Sequence, residues 1–372
     1  MKKLKTPWTW PVGAVRILDA ALKGDRRLLE LTALTTIRDA KSIDPAGAQL
    51  LGEAFAAYQS TASSARWANT PPPVDADSTL ALLRVQSNQS SPKPVLSGPT
   101  TSAIERFVRE RRELGKLLAV GLQPPSSLLL CGPPGTGKTM LAKWLASELA
   151  LPIATLDLAT AVSSFLGRTG ANLRRILDYA RSTPMLLLLD EFDSVAKRRD
   201  DVTEVGELKR IVNVLLKELE DWPMTSVLVA ATNHASLLDP AVFRRFDHTV
   251  ELELPDESNR IAILVESLGS HAEGLDPAIS AVLAKLTNGA SGSAISQLGN
   301  AILRTHFVDG TPLATAALAE SKRLVSKSLT LKEKAKLIKQ MGSLKTGKLP
   351  LRELSEMFDL SISTIHYHLS KE

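Results

Sequence analysis

Cys131-Gly132-Pro133-Pro134-Gly135-Thr136-Gly137-Lys138-Thr139 is the stretch whose reading decides the fold. From Gly132 onward it follows the spacing G-x-x-x-x-G-K-[ST]. The apolar run Leu128-Leu129-Leu130 before it reads as a buried strand, and Met140-Leu141-Ala142-Lys143-Trp144-Leu145 after it as a helix. The order has a chemical reason. Glycines let backbone N–H groups close around a β-phosphate, and the helix N-terminus adds a favourable dipole. Lys138 then reaches the β/γ oxygens and Thr139 holds Mg²⁺. The expected contacts with a nucleoside triphosphate are Gly132, Pro133, Pro134, Gly135, Thr136, Gly137, Lys138, Thr139 and Met140. A glycine-rich turn without a ligand is the competing reading, and the agreement of strand, motif and helix stands against it.

Working outward, 372 residues are too many for one core and suggest two or three units. No stretch of some eighteen apolar residues is present, so no membrane partner is expected. The basic start, Met1-Lys2-Lys3-Leu4-Lys5, is followed by Pro7, Pro11 and Arg16, which interrupt any signal-like apolar core. One cysteine, Cys131, excludes an internal disulfide and a cysteine-based metal cluster, and fits a reducing cytoplasm as the expected location. The net charge of +5 is unevenly placed. Residues 321–372 hold eleven Lys/Arg against five Asp/Glu, and the other 320 residues hold 34 against 35. The basic excess therefore belongs to the tail.

Residues 1–60 read as a helical N-terminal region, with helices over Ala14–Leu22, Arg27–Arg38 and Pro45–Tyr58. Trp8 and Trp10 either tuck against those helices or form an exposed binding peptide. Residues 61–100, rich in Ser and Pro, read as a linker with one apolar insert at Leu80–Leu83. A charged helix over Ala103–Leu118 follows. From 128 the pattern alternates. Strands are expected at Leu128–Cys131, Ile153–Leu156, Leu186–Asp190, Ser226–Ala231 and Thr249–Leu254, with helices at Lys138–Leu149, Ala171–Arg181 and Glu204–Leu219 between them. Such alternation implies an α/β parallel sheet sandwiched by helices, over residues 101–255. Residues 256–328 are helical throughout and read as a lid. The strand at Leu186–Asp190 ends in two carboxylates. At the carboxyl edge of a parallel sheet these face the ligand crevice, where Asp190 is placed to hold Mg²⁺ and Glu191 to orient and deprotonate the attacking water.

Four motifs occur in order: Gly132–Thr139, Leu187–Glu191, Ala231-Thr232-Asn233, and Asp239-Pro240-Ala241-Val242-Phe243-Arg244-Arg245-Phe246-Asp247. As a set they resemble the AAA ATPases, especially the clade that includes the membrane-bound AAA proteases and the microtubule-severing enzymes. The resemblance covers roughly residues 100–325. It implies a P-loop NTPase fold, ATP with Mg²⁺ as the bound nucleotide, and a ring of identical subunits, usually a hexamer, with ATP at the interfaces. Asn233 matches the family's polar sensor. Arg244 and Arg245 match the segment that supplies an arginine finger to the neighbouring subunit. The family usually separates two arginines by Pro-Gly and here they are adjacent, so which of the two inserts stays open. Ser163-Ser164-Phe165-Leu166-Gly167 matches the loop that lines the central pore. There Phe165 and Leu166 would grip an extended polypeptide and Gly167 would permit the turn; Phe165 packed in the core is the alternative. Gly289–Ile295 resembles the lid segment near adenine and ribose. The family usually has an acid where Ala294 stands, which leaves Gly292 as the expected contact.

Residues 329–372 read as a helix-turn-helix domain with helices at Leu331–Met341, Leu351–Phe358 and Ser363–Lys371. Leu354, Phe358, Leu360, Ile362 and Ile365 would form its core. Ser363, Thr364, His366, Tyr367 and His368 would lie on the outward helix as candidate DNA contacts; a cap that binds protein is the other reading. The expected function is ATP hydrolysis in an oligomeric ring that remodels, unfolds or translocates protein substrates. No H-E-x-x-H metalloprotease motif is present, so any proteolysis would need a separate protease partner. The alternative is a DNA-associated ATPase, a regulator or mobile-element factor, recruited through the tail.

Overall fold

The run Leu128–Leu130 forms the middle of a strand whose five side chains are all buried, with strands on both sides of it. In a computed structural model, residues 10–22, 26–41, 43–66, 83–87, 90–160, 169–196, 215, 217, 222–328, 334–335, 338, 351–358 and 360–370 are described. Six strands, β1 (Arg84–Gln86), β2 (Ser127–Cys131), β3 (Ile153–Asp157), β4 (Leu186–Asp190), β5 (Val227–Thr232) and β6 (His248–Glu251), make one sheet in the order β1-β3-β4-β5-β2-β6. The last five are parallel, with Cys131 opposite Thr232 and Asp157 opposite Asp190. The carboxyl ends of β2, β3, β4 and β5 therefore line one edge. β2, β4 and β5 are apolar on both faces because helices cover both.

Two expectations are corrected here. The segment read as linker supplies β1, which pairs antiparallel with β3 and makes the sheet mixed. Its Leu83 is buried in the main core, while Arg84 and Gln86 leave the edge polar, which discourages pairing with a further strand. The helix expected over Ala103–Leu118 is two helices, Gly98–Arg112 and Leu114–Ala119, which part at Glu113 (φ −89°, ψ 24°). The break lets Leu114 and Leu118 pack with Ala33, Phe55 and Met224. At the crossing Gly52 approaches closely enough that a Cβ on it would stand 3.3 Å from the Gly115 carbonyl oxygen.

The chain divides into two compact units, the first comprising 1–94, 98–132 and 138–251 and the second 95–97, 133–137 and 252–372. The N-terminal helices Trp10–Leu22, Arg26–Ala40 and Pro45–Arg66 thus belong to the same unit as the sheet. In the second unit, helices Glu257–Leu268, Pro277–Leu286, Gly292–Asp309 and Leu313–Ser328 enclose a core that includes Leu264, Leu283, Ile295 and Ile302. Arg260 is buried there because its side chain donates to the carbonyls of Ala284 (2.7 Å) and Pro255 (2.9 Å). The tail helices Leu351–Phe358 and Ile362–Ser370 belong to this unit too. Leu354, Phe358 and Ile365 pack with Val282 and Ile338. Ile362, expected in that core, is half exposed, because it opens its helix one turn before Ile365 and falls beyond the packed stripe. The helices expected over Glu204–Leu219 and Leu331–Met341 lie almost wholly outside the described residues, and so does Trp8. Among the described residues no helix is long and apolar enough to cross a membrane.

Phe358 is fully buried, so Phe358→Ala is expected to destabilise the second unit by about 3–5 kcal/mol. Ile362→Ala is expected to change stability by less than about 1 kcal/mol. Hydrogen exchange across residues 277–328, together with thermal unfolding, measures both.

Candidate active site

At the end of β2 the chain enters its glycine loop with Gly132 at φ 147°, Gly135 at 75° and Gly137 at 97°. A side chain would strain each of these conformations. Within the second unit, Thr136 Oγ1 donates to the Pro133 carbonyl at 2.9 Å and closes the turn from inside. The N-terminus of helix Gly292–Asp309 lies against this loop, with Ser293 N donating to Gly135 O at 2.9 Å. Ser291 caps that helix by accepting from Ala294 N. A Cβ on Gly135 would stand 2.6 Å from Ser291 Oγ and 3.1 Å from Ser293 Cβ, and one on Gly292 would stand 3.4 Å from Gly135 O. Gly292, expected from the lid motif, is thus brought to the loop.

Within the first unit, the helix Lys138–Glu148 begins where the motif ends. Lys138 is only 7% exposed, and its Nζ donates to the Gly132 carbonyl at 2.7 Å. Burial lowers its pKa, while Asp190 and Asp193 pull in the opposite direction. Thr139 Oγ1 donates to Asp190 Oδ2 at 3.1 Å. A hydroxyl and a carboxylate held together are hard oxygen donors of the kind Mg²⁺ takes, so Thr139 and Asp190 fit the ion; within the second unit, the glycine loop by itself leaves room for a phosphate chain where side chains would intrude. Met140 is half-buried in the same helix.

Glu191 follows β4 with φ +53°, one of two non-glycine residues at positive φ among the described residues. Its N–H donates to Asp190 Oδ1 at 3.0 Å. Desolvation raises the pKa of its exposed carboxyl, and the charges of Asp157, Asp190 and Asp193 raise it further.

Sequence reasoning missed Asp193. It is buried, and its Oδ1 accepts from Thr232 Oγ1 (3.0 Å) and from Asn233 N (3.2 Å), which ties the acidic turn to the tip of β5. The available signal was a third acid, after Phe192, next to a segment already singled out at Thr232-Asn233. Asp157, at the end of β3, was missed for the same reason: its relevance depends on strand order.

Asn233 lies half-buried at that tip. Arg244 and Arg245 are exposed on the turn after the short helix Pro240–Phe243, which Asp239 caps by accepting from Ala241 N. Phe165, Leu166 and Gly167 lie outside the described residues. On the tail helix, Ser363, His366 and Tyr367 are exposed and Thr364 and His368 are half-buried. Ser361 Oγ accepts from Thr364 N at 3.2 Å and caps the helix.

Residues 128–254 match the model of the ATPase family associated with various cellular activities (AAA). An uncharacterized AAA family ATPase, y4kL, of Sinorhizobium fredii is 38% identical over 173 residues, which are 46% of this chain and 52% of that protein. The ATP-dependent zinc metalloprotease FtsH of Heterosigma akashiwo is 35% identical over 204 residues, 53% of this chain and 30% of the relative. The chain spans about half the length, or less, of these curated relatives. The crystal structure of the FIGL-1 AAA domain has a similar fold, with a TM-score of 0.56 at 21% identity, over 72% of this chain and 93% of that one.

Gly135→Ala adds a Cβ where φ is +75° and Ser291 Oγ would be 2.6 Å away. Nucleotide affinity, measured with a fluorescent ATP analogue, is expected to fall about tenfold or more while far-UV circular dichroism stays unchanged.

Proposed function

We propose that the chain, whose residues 128–254 match the AAA ATPase family, hydrolyses ATP in an oligomeric ring, a hexamer in the usual arrangement, and uses the cycle to remodel, unfold or translocate protein substrates. The observation that carries the reading is the Thr139–Asp190 hydrogen bond at 3.1 Å, next to buried Lys138 and followed by Glu191. Gly132 to Met140 would cradle the phosphates, with Gly292 near the nucleotide. Thr139 and Asp190 would hold Mg²⁺, which when bound neutralises charge on the β/γ oxygens. Lys138 adds a cation whose burial strengthens its pull on an anion. Glu191 orients the attacking water and takes its proton, and its raised pKa suits a base. Asn233 senses the γ-phosphate. Arg244 or Arg245 reaches the phosphate held by the adjacent subunit, which makes hydrolysis depend on assembly. Phe165, Leu166 and Gly167 grip the polypeptide in the pore. The FtsH relatives, described as ATP-dependent zinc metalloproteases, support a polypeptide substrate, with a separate protease as the partner for degradation.

A second reading, a DNA-associated ATPase, is favoured by one observation. A capped helix exposes Ser363, His366 and Tyr367 within a basic tail. The ATPase rate with unfolded protein and with duplex DNA, at two salt concentrations, separates the readings. Stimulation by protein is expected; stimulation by DNA alone, abolished by His366→Ala with Tyr367→Ala, would put the second reading in place of the first.

Glu191→Gln is expected to lower turnover about 10²–10⁴-fold while ATP stays bound, as seen by nucleotide retention on gel filtration. The raised pKa carries a sign. Glu191 acts when ionised, so the rate falls on acidification at a higher pH than an ordinary glutamate would give. Asp157→Asn removes one of the charges that raise it and should move the acid limb of kcat to lower pH. An unmoved limb would take the base role away from Glu191.

A further inference from the structure

Asp247 closes the segment that carries Arg244 and Arg245, and its carboxylate is spent almost wholly on the start of β2. Its Oδ2 accepts from Ser126 N (2.7 Å), Ser127 N (2.9 Å) and Ser127 Oγ (2.9 Å), with Ser126 Oγ at 3.4 Å. In return Asp247 N donates to Ser127 Oγ at 2.9 Å. Ser127 is buried. Arg111 donates to the adjacent Pro125 carbonyl at 3.3 Å. Desolvation lowers the pKa of Arg111 to about 10, against the opposing charge of Asp247.

Upstream of Asp247 the segment is fixed as well. Phe246 is buried and meets Phe192 edge to face, with ring centroids 5.9 Å apart. Arg245 N donates to Val242 O at 3.0 Å, and Val242 is fully buried. The backbone on both sides of Arg244 and Arg245 is therefore anchored, while the two residues themselves are exposed. β6 is already paired with β2 from Leu128–His248 onward, so its register does not require a carboxylate that binds two backbone N–H groups and a hydroxyl one residue before it. What this clamp fixes is the turn before the strand. An arginine that must meet a phosphate across an interface loses most of its effect if its turn shifts by about 1 Å.

We propose that Asp247 is a positioning residue for the arginine pair, clamping the turn that presents Arg244 and Arg245 to a neighbouring copy of the chain. The inference rests on the reading of these arginines as acting in trans. The test is subunit mixing with full-length protein. Asp247→Ala alone should lower kcat about tenfold or more, with affinity for a fluorescent ATP analogue within about twofold of wild type. Its own Glu191 is intact, so adding Glu191→Gln subunits, which carry a properly held arginine pair, should raise the rate several-fold above the sum of the two variants alone. The double variant Arg244→Ala with Arg245→Ala should be rescued in the same way. Ser127→Ala removes one hydroxyl of the clamp and should show a milder form of the same loss and rescue, should Asp247→Ala fail to fold. Asp247→Asn keeps an acceptor oxygen and should retain more activity than Asp247→Ala. If the arginine variant is rescued and neither Asp247→Ala nor Ser127→Ala is, the positioning role is overturned. If the arginine variant is not rescued either, the trans reading itself falls, and the proposal with it.

Discussion

The hydrogen bond from Thr139 Oγ1 to Asp190 Oδ2 joins the helix that follows β2 to the end of β4, and β2 and β4 are not neighbours in the sheet. β5 lies between β2 and β4, so the two are separated by two strand spacings of about 4.8 Å each. The side chains meet only if all three strands end at the same level. The register provides this, with Cys131 opposite Thr232 and Leu189 opposite Ala230. Yet runs such as Leu128–Leu130 and Leu186–Leu189 are apolar on both faces, and a pattern without alternation says little about register. Polar contacts at the strand ends carry that information instead. At the carboxyl edge Asp193, just past β4, accepts from Thr232 and Asn233 at the tip of β5. Asp193 thus ties the end of β4 to the tip of β5, in the alignment that lets Thr139 meet Asp190.

The acidic turn shows what that alignment holds in place. Glu191 adopts φ +53°, which costs a residue with a side chain about 1–2 kcal/mol. Three backbone donors fix the conformation: Glu191 N to Asp190 Oδ1, Ser194 N to the Glu191 carbonyl at 2.8 Å, and Phe192 N to the Ala231 carbonyl at 2.9 Å. The strain turns the chain away from the sheet directly after Asp190 and leaves Glu191 exposed among Asp157, Asp190 and Asp193. Strain held by surrounding structure is a common property of reactive positions.

Much of this was legible in the sequence, and what was not has a common cause. The glycine loop, Asp190 and Glu191 stand in contiguous stretches whose chemistry depends on local spacing, so they could be read directly. The lid helices were legible because a 3.6-residue period survives in each. Asp157, Asp193 and Asp247 have roles set by partners 34 to 121 positions away, and no local pattern marks such pairs. β1 was read as linker because three residues of a polar edge strand carry too little alternation to stand out from the prolines and serines around them. The break at Glu113 was missed because the sequence stays helical in composition on both sides. The packing of Leu114 and Leu118 with Ala33, Phe55 and Met224, and the close approach of Gly115 to Gly52, give the chain a reason to part there.

In the second unit the same logic bears on the tail. Leu318 packs against both the lid core and the cluster of Ile338, Leu354, Phe358 and Ile365, so the two apolar clusters are continuous. Val282 is itself a member of the tail cluster, and Leu286 packs against it. Removing the tail would therefore uncover lid residues rather than release an independent module, and a loss of activity on truncation would not separate a ligand-binding role from a packing one. The same unit holds Gly135 against Ser291 and Ser293. The tail's packing and the glycine loop's contacts with Ser291 and Ser293 consequently lie within one compact unit. The exposed side chains of helix Ile362–Ser370 are the positions at which a binding role can be examined without disturbing that unit.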